Sequence, residues 1–195
     1  MQSPLPAAVH SSQKATSITL LRVTRSAKSA EQAVAGDKGK LIGTDGMIYA
    51  NAFLATAAGT TAVAMIAYVG SETGESAPYN HGLALALTDE NSGSTMNWSS
   101  AGSSCSGKNT STPVTNATWL LASQAQWNTM ITAFGGYATL RDGFSSIGGT
   151  DLQTTYRYWS SSDSDDKGYR CSFYDGSWGL SSKDNSNYAR AALAF

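Results

Sequence analysis

The stretch Gly102-Ser103-Ser104-Cys105-Ser106-Gly107-Lys108 has the spacing of a phosphate-binding loop, G-x-x-x-x-G-K. Asn109 follows where that loop needs a Ser or Thr hydroxyl for magnesium. No strand pattern precedes it, and Pro113 interrupts any helix behind it, so the amides and dipole that hold a phosphate are missing. It reads as a flexible loop. Asp163-Ser164-Asp165-Asp166-Lys167-Gly168 has the flavour of a calcium loop, but Lys167 stands where a third oxygen is wanted and Tyr174 where the bidentate Glu belongs. It reads as a solvated acidic turn, with no metal expected. His81 has the type of a general base, yet neither G-x-S-x-G nor H-E-x-x-H accompanies it, and it reads as a helix-cap or packing residue. Cys105 and Cys171 allow one disulfide arithmetically, or a loop thiol and a buried thiol; with His10 and His81 they are too scattered for zinc. Three glycosylation-type triplets, starting at Asn97, Asn109 and Asn116, are what chance gives in so Ser/Thr-rich a stretch. The expectation is therefore no catalytic residue, no metal and no cofactor: a protein that binds rather than an enzyme.

Recognition chemistry is concentrated near the end of the chain. From Tyr169 to Tyr174 the residues alternate, with Tyr169, Cys171 and Phe173 on one side and Arg170, Ser172 and Tyr174 on the other. Asp175-Gly176 reads as a hairpin turn, followed by Ser177 to Leu180 with Trp178 as the large apolar residue. Cys171, Phe173 and Trp178 are expected inward. Arg170, Ser172, Tyr174, Ser177 and Gly179 are expected outward together, and Tyr, Ser, Gly and Arg side by side are the residue types of antibody-like contact surfaces. Tyr188 to Phe195 reads as a final strand placing Leu193 and Phe195 in the core.

The elements that must hold this surface are legible to different degrees. The chain has 195 residues, enough for one domain with a true core. Charged residues make up 14% against about 25% in typical soluble domains, so small hydroxyl and amide groups must cover the surface. The formal net charge of −1 with no basic block argues against nucleic acid as a partner, and no apolar run is long enough to span a membrane. Residues 1–36 read as an N-terminal lead or linker, with one possible strand over Ser17–Val23. Lys40–Gly43, Asp45-Gly46 and Met47–Tyr49 predict strand, turn, strand, and Thr61–Val69 a buried strand. Tyr79–Asp89, rich in alanine, is predicted helical, although its leucines alternate in a strand-like way. Asn91–Asn116 is predicted to be a long loop. Ser123 and Gln126 form a capping box for a helix carrying Trp127, Met130, Ile131 and Phe134, stopped by Gly135-Gly136.

Several of these segments carry a resemblance. Tyr158-Trp159-Ser160-Ser161, Asp175-Gly176-Ser177-Trp178 and the ending Asn187 to Phe195 resemble the variable proteins of diversity-generating retroelements. Ile66 to Gly70, His81 to Leu87, Trp119 to Ser123 and Leu140 to Phe144 are similar to them too, so the likeness covers about residues 37–195. It implies an α+β, C-type-lectin-like fold: two helices packed on small antiparallel sheets with long loops. It also implies a variable region over about 156–195, rewritten at fixed surface positions by mutagenic reverse transcription. The implied ligand-binding positions are Ser162, Ser164, Asp165, Arg170, Ser172, Tyr174, Ser177, Gly179, Leu180 and Ser181. The implied partner is a protein or glycan on a target cell or host surface, and the implied location is extracellular, on a cell surface or on a virion. The triplets that mark calcium-dependent sugar lectins do not occur, so the shared fold does not license a sugar ligand. Two alternatives stand beside this reading: an enzyme of the formylglycine-generating type, which needs paired cysteines where this C-terminal half has only Cys171, and an adhesive subunit with a fixed surface.

Overall fold

The computed structural model describes residues 28–195; the strand expected over Ser17–Val23 lies outside them. The described chain is α+β, with two antiparallel sheets and four α-helices. In order these are β1 (Leu41–Gly43), β2 (Ile48–Tyr49), α1 (Ala52–Ala57), β3 (Ala62–Val69), β4 (Gly82–Ala86), α2 (Trp98–Ser111), β5 (Thr118–Leu121), α3 (Gln124–Phe134), α4 (Tyr137–Arg141), β6 (Tyr158–Ser164), β7 (Lys167–Cys171), β8 (Trp178–Ser182) and β9 (Ala191–Ala194).

The larger sheet runs β2-β1-β3-β4-β9-β5 and divides the core in two. Because strand side chains alternate between faces, each strand serves both halves. Leu41, Met65, Leu83 and Leu85 join Trp127, Met130 and Ile131 of α3 on one side. Ile42, Ile66, Ala84, Ala86 and Leu193 join Ala101 and Cys105 of α2 on the other. The β1–β2 hairpin forms as expected: Gly46 takes φ +76°, and a Cβ there would lie 2.5 Å from the Thr115 carbonyl oxygen, so glycine is required twice over.

Helix α3 also forms as expected. The Ser123 hydroxyl accepts from the Gln126 N–H, the Gln126 amide oxygen accepts from the Ser123 N–H, and Gly135 closes the helix in the left-handed region. Two predicted elements change type. The Tyr79–Asp89 helix is instead the strand β4, paired with β3 through Leu85 opposite Met65 and with β9 through Leu85 opposite Ala192. The alternating leucines carried the stronger signal; alanine's helix preference is small and yields when both faces are buried. His81 accordingly caps no helix. It precedes β4 and sits 2.9 Å from the Ala33 carbonyl oxygen through Nε2.

The long loop expected over Asn91–Asn116 holds the fourteen-residue helix α2. Asn97 caps it by accepting from the Ser100 N–H, and Ala101 and Cys105, four apart, form its buried side. The phosphate-loop-like stretch lies wholly inside this helix, and Cys105 is a buried helical thiol, not a loop thiol. Asn109 grips the backbone of β5: its amide donates to the Trp119 carbonyl and its oxygen accepts from the Trp119 N–H, both at 2.8 Å.

Residues 28–36 pack on the domain. Ala30 and Ala33 are buried, and the Ala30 N–H donates to Gly46. Asp37, also buried, receives Lys28 at 2.6 Å and Lys40 at 2.8 Å. Burial works to raise its pKa, but the two ammonium groups and the Val34 N–H outweigh that and hold it well below the carboxylate range.

A fully buried ion pair joins distant parts of the chain. Arg190 donates through Nε to Asp89 at 2.6 Å, Tyr158 donates its hydroxyl to the other Asp89 oxygen at 2.8 Å, and the guanidinium lies 4.8 Å from the Phe144 ring centroid. Burial, then the Asp89 charge, pushes the Tyr158 phenol far up, so it stays a donor.

Candidate binding face

The smaller sheet, β6-β7-β8, carries all the candidate positions except Asp165, in the β6–β7 turn, and Ser172, Tyr174 and Ser177, which lie on the β7–β8 connection. Its root is anchored on both faces. Tyr158, Cys171 and Trp178 are cross-strand neighbours on the α3 side. There Tyr158 and Phe173 meet edge to face at 5.5 Å, and the half-buried Trp178 indole donates to the Tyr137 hydroxyl at 3.0 Å and to Asn128 at 3.1 Å. On the α2 side Trp159 is buried and donates to the Met96 carbonyl. The Trp98 indole lies over Gly168, where a Cβ would come within 2.5 Å of it.

The alternation expected from Tyr169 to Tyr174 holds only to Cys171, where β7 ends. Ser172 to Ser177 form a six-residue connection instead of a two-residue turn at Asp175-Gly176. Ser172 is therefore buried rather than outward: its hydroxyl accepts from the Tyr174 and Asp175 N–H groups and shapes the loop. Asp175 accepts from the Ser177 N–H and hydroxyl. The Ser172 hydroxyl, then these Ser177 groups, hold its carboxyl down at about 2.

Two more candidates have internal tasks. Ser162 accepts from the Gln124 N–H at the start of α3, and Ser181 is buried, accepting from the Asn185 amide. Arg170 pairs with Gly179, so these two share a face as expected, whereas the candidate Leu180 pairs with Tyr169 on the opposite face. Arg170 is half-buried and donates to Asn187 at 3.2 Å. Ser164, Asp165, Tyr174 and Leu180 are exposed, Tyr174 at 78% and Leu180 at 42%. Tyr156, 57% exposed, stacks edge to face on Tyr188; as a single exposed aromatic it had no sequence pattern to mark it.

The acidic turn is the tip of the β6–β7 hairpin. Asp165 takes φ +53°, a conformation that Asp tolerates better than most residues. The Lys183 ammonium binds the Asp163 carboxylate at 2.6 Å and the Asp165 carbonyl at 2.8 Å, and stands 4.5 Å from the Trp98 ring centroid. A side-chain cation thus occupies the place that the calcium reading would give to a metal. An open cleft of about 660 Å³ lies beside the sheet, between α2, β5 and the start of α3, lined by Trp98, Ser103, Ser106, Ser123 and Glu75 among others.

No family model matches this chain, and no curated protein does. Among solved structures it is similar to a fimbrial protein from Bacteroides ovatus, with a TM-score of 0.58 at 14% identity. The match covers 81% of this chain and 48% of that one, so the present chain corresponds to about half of the fimbrial protein.

Proposed function

We propose that this chain is a binding module with a C-type-lectin-like fold, of the kind diversified by retroelements, and that it acts by recognition rather than catalysis. The observation that carries this reading is the contrast within the smaller sheet. Its root is locked by Tyr158, Trp159, Cys171 and Phe173, while Ser164, Tyr174 and Leu180 project from it with side chains that hold nothing in place. Such positions can change at little cost to folding and can bring Tyr-type anchors to a partner. The partner is a protein or glycan on a cell or host surface, and the module works outside the cell or on a virion. Burial pushes both the Cys105 and Cys171 thiols far up, which disfavours thiolate chemistry of the formylglycine-generating type. A fixed adhesive surface is the second reading, favoured by the likeness to a fimbrial protein.

A display library randomised at Ser164, Tyr174 and Leu180 and selected against lysozyme separates the two readings. Specific binders with unchanged melting temperatures support a diversifiable face; a library that mostly fails to fold sinks it. At the gene, a nearby reverse transcriptase and a near-copy of the 3′ end differing only at adenines is the expected accompaniment.

A further inference from the structure

Two arginines converge on one side of the smaller sheet. Arg170 lies directly across from Gly179, and a Cβ on Gly179 would stand 2.9 Å from the Arg157 guanidinium. Arg157 donates to the Ser177 hydroxyl at 3.1 Å, and Arg170 donates to Asn187. Neither guanidinium has a carboxylate within ion-pair distance among the described residues. Asp175 is near enough to feel the Arg157 charge, but its carboxylate is turned onto Ser177. Beneath the pair, Arg170 Nε and Asn187 Nδ2 are buried and make no hydrogen bond.

This arrangement is costly as it stands. Like charges side by side repel, and a half-buried guanidinium without a counter-ion forfeits hydration that the neutral acceptors Ser177 and Asn187 replace only in part. Burial, then the Arg157 charge, holds the Arg170 pKa below its ordinary value. Nearby polar groups are matched or fully hydrated: Lys183 has Asp163, Ser172 and Ser181 have their donors, and the Lys167 ammonium is exposed. Half-buried positive charge without a carboxylate partner is local to this one place in the small sheet. Guanidinium groups take carboxylates through paired N–H donors, which fits an anion arriving from outside.

We propose that Arg157 and Arg170 form a carboxylate-binding site, and that its ligand is an acidic segment of a partner protein. This rests on the recognition reading above and gives it a ligand chemistry. A protein partner is favoured over a small acid because the site lies on sheet surface, whereas the 660 Å³ cleft that would suit a small molecule is lined by other residues. Exposed Tyr174, on the β7–β8 connection that also carries Ser177, supplies an apolar contact such an interface needs.

The test is titration of the whole chain with hexaglutamate, read by the side-chain Nε–Hε signals of its arginines in nuclear magnetic resonance. Saturable shifts of Arg157 and Arg170 are expected, with hexaglutamine giving none. Arg157→Gln and Arg170→Gln should each weaken binding about tenfold or more, since each removes a charge-assisted contact. Arg157→Gln alone decides the matter if Arg170→Gln lowers the melting temperature. Absence of shifts, or equal binding by the Arg157→Gln variant, overturns the proposal. Shifts with oligogalacturonate but not with hexaglutamate overturn it in favour of an acidic saccharide. Any of these failures leaves the lysozyme selection intact, because that library changes neither arginine.

Discussion

The two sheets are built from different residue types and use them in opposite ways: aliphatic strands in the large one, serine-rich strands with aromatics at the root in the small one. Every strand residue from Gly82 to Ala86 and from Ala191 to Ala194 is buried, and each face of the large sheet has its own apolar cluster. The small sheet is packed only at its root; its β6–β7 tip and the β7–β8 connection reach water. The difference teaches that packing and solvent-facing variety are assigned to separate parts of one domain, as the proposed recognition role requires. A substitution in the first removes packing or uncovers a charge, while one at the tip of the second exchanges one solvated group for another.

The largest break should come from Arg190→Ala. It leaves the Asp89 carboxylate buried without its partner, and about 3–5 kcal/mol should be lost in urea denaturation. Phe173→Ala should cost about 3–5 kcal/mol as well, since the ring is buried against Trp127, Tyr137 and Tyr158. A loss below about 1 kcal/mol in either would erase the contrast between root and tip.

Glycines on neighbouring strands sharpen the comparison. Gly168→Ala drives a methyl into the Trp98 and Trp159 rings and should cost about 1–3 kcal/mol. Gly179→Ala meets only the far end of Arg157, which can swing aside, and should stay within about 0.5 kcal/mol. Acid tests a different anchor. The folded pKa of Asp37 is depressed, so its contribution is present in full above the ordinary carboxylate value of about 4 and is lost as pH falls below it. Asp37→Asn should flatten that part of the stability profile between about pH 5 and 2, measured by thermal melts. The smallest effect is expected from replacing Ser164, Tyr174 and Leu180 together by other polar residues. Circular dichroism and melting should stay nearly unchanged, with about 0.5 kcal/mol or less per site.

What was legible in the sequence follows from how local each signal is. The capping box at Ser123, the β1–β2 turn and the buried run of β3 are written within a few residues, and they form. The register to Cys171 was legible for the same reason. Helix α2 was hidden because Ser and Gly dominate it; only Asn97, Ala101 and Cys105 marked its cap and buried side, and its support comes from β5. The Asp89–Arg190 pair spans 101 residues, and no local pattern predicts it. The candidate face was half legible. Exposure at Tyr174 was expected from the residue pattern, and the Ser164 and Leu180 positions came only from the resemblance. Ser162 is engaged by the distant Gln124 N–H, and Ser172 and Ser181 by local turn contacts that form because β7 ends at Cys171 and β8 at Ser182.

Strand β9 sits between β4 and β5, and it comes after the face in the chain. A message that acquires a stop codon or loses its reading frame anywhere between residues 156 and 190 yields a product without Ala191–Ala194, so both neighbouring strands lose their pairing partner. Such a product exposes two unsatisfied strand edges and is a substrate for proteolysis, not a folded domain with an altered face. The order of elements thus acts as a filter on translation: only chains read in frame through the whole face can complete the central sheet.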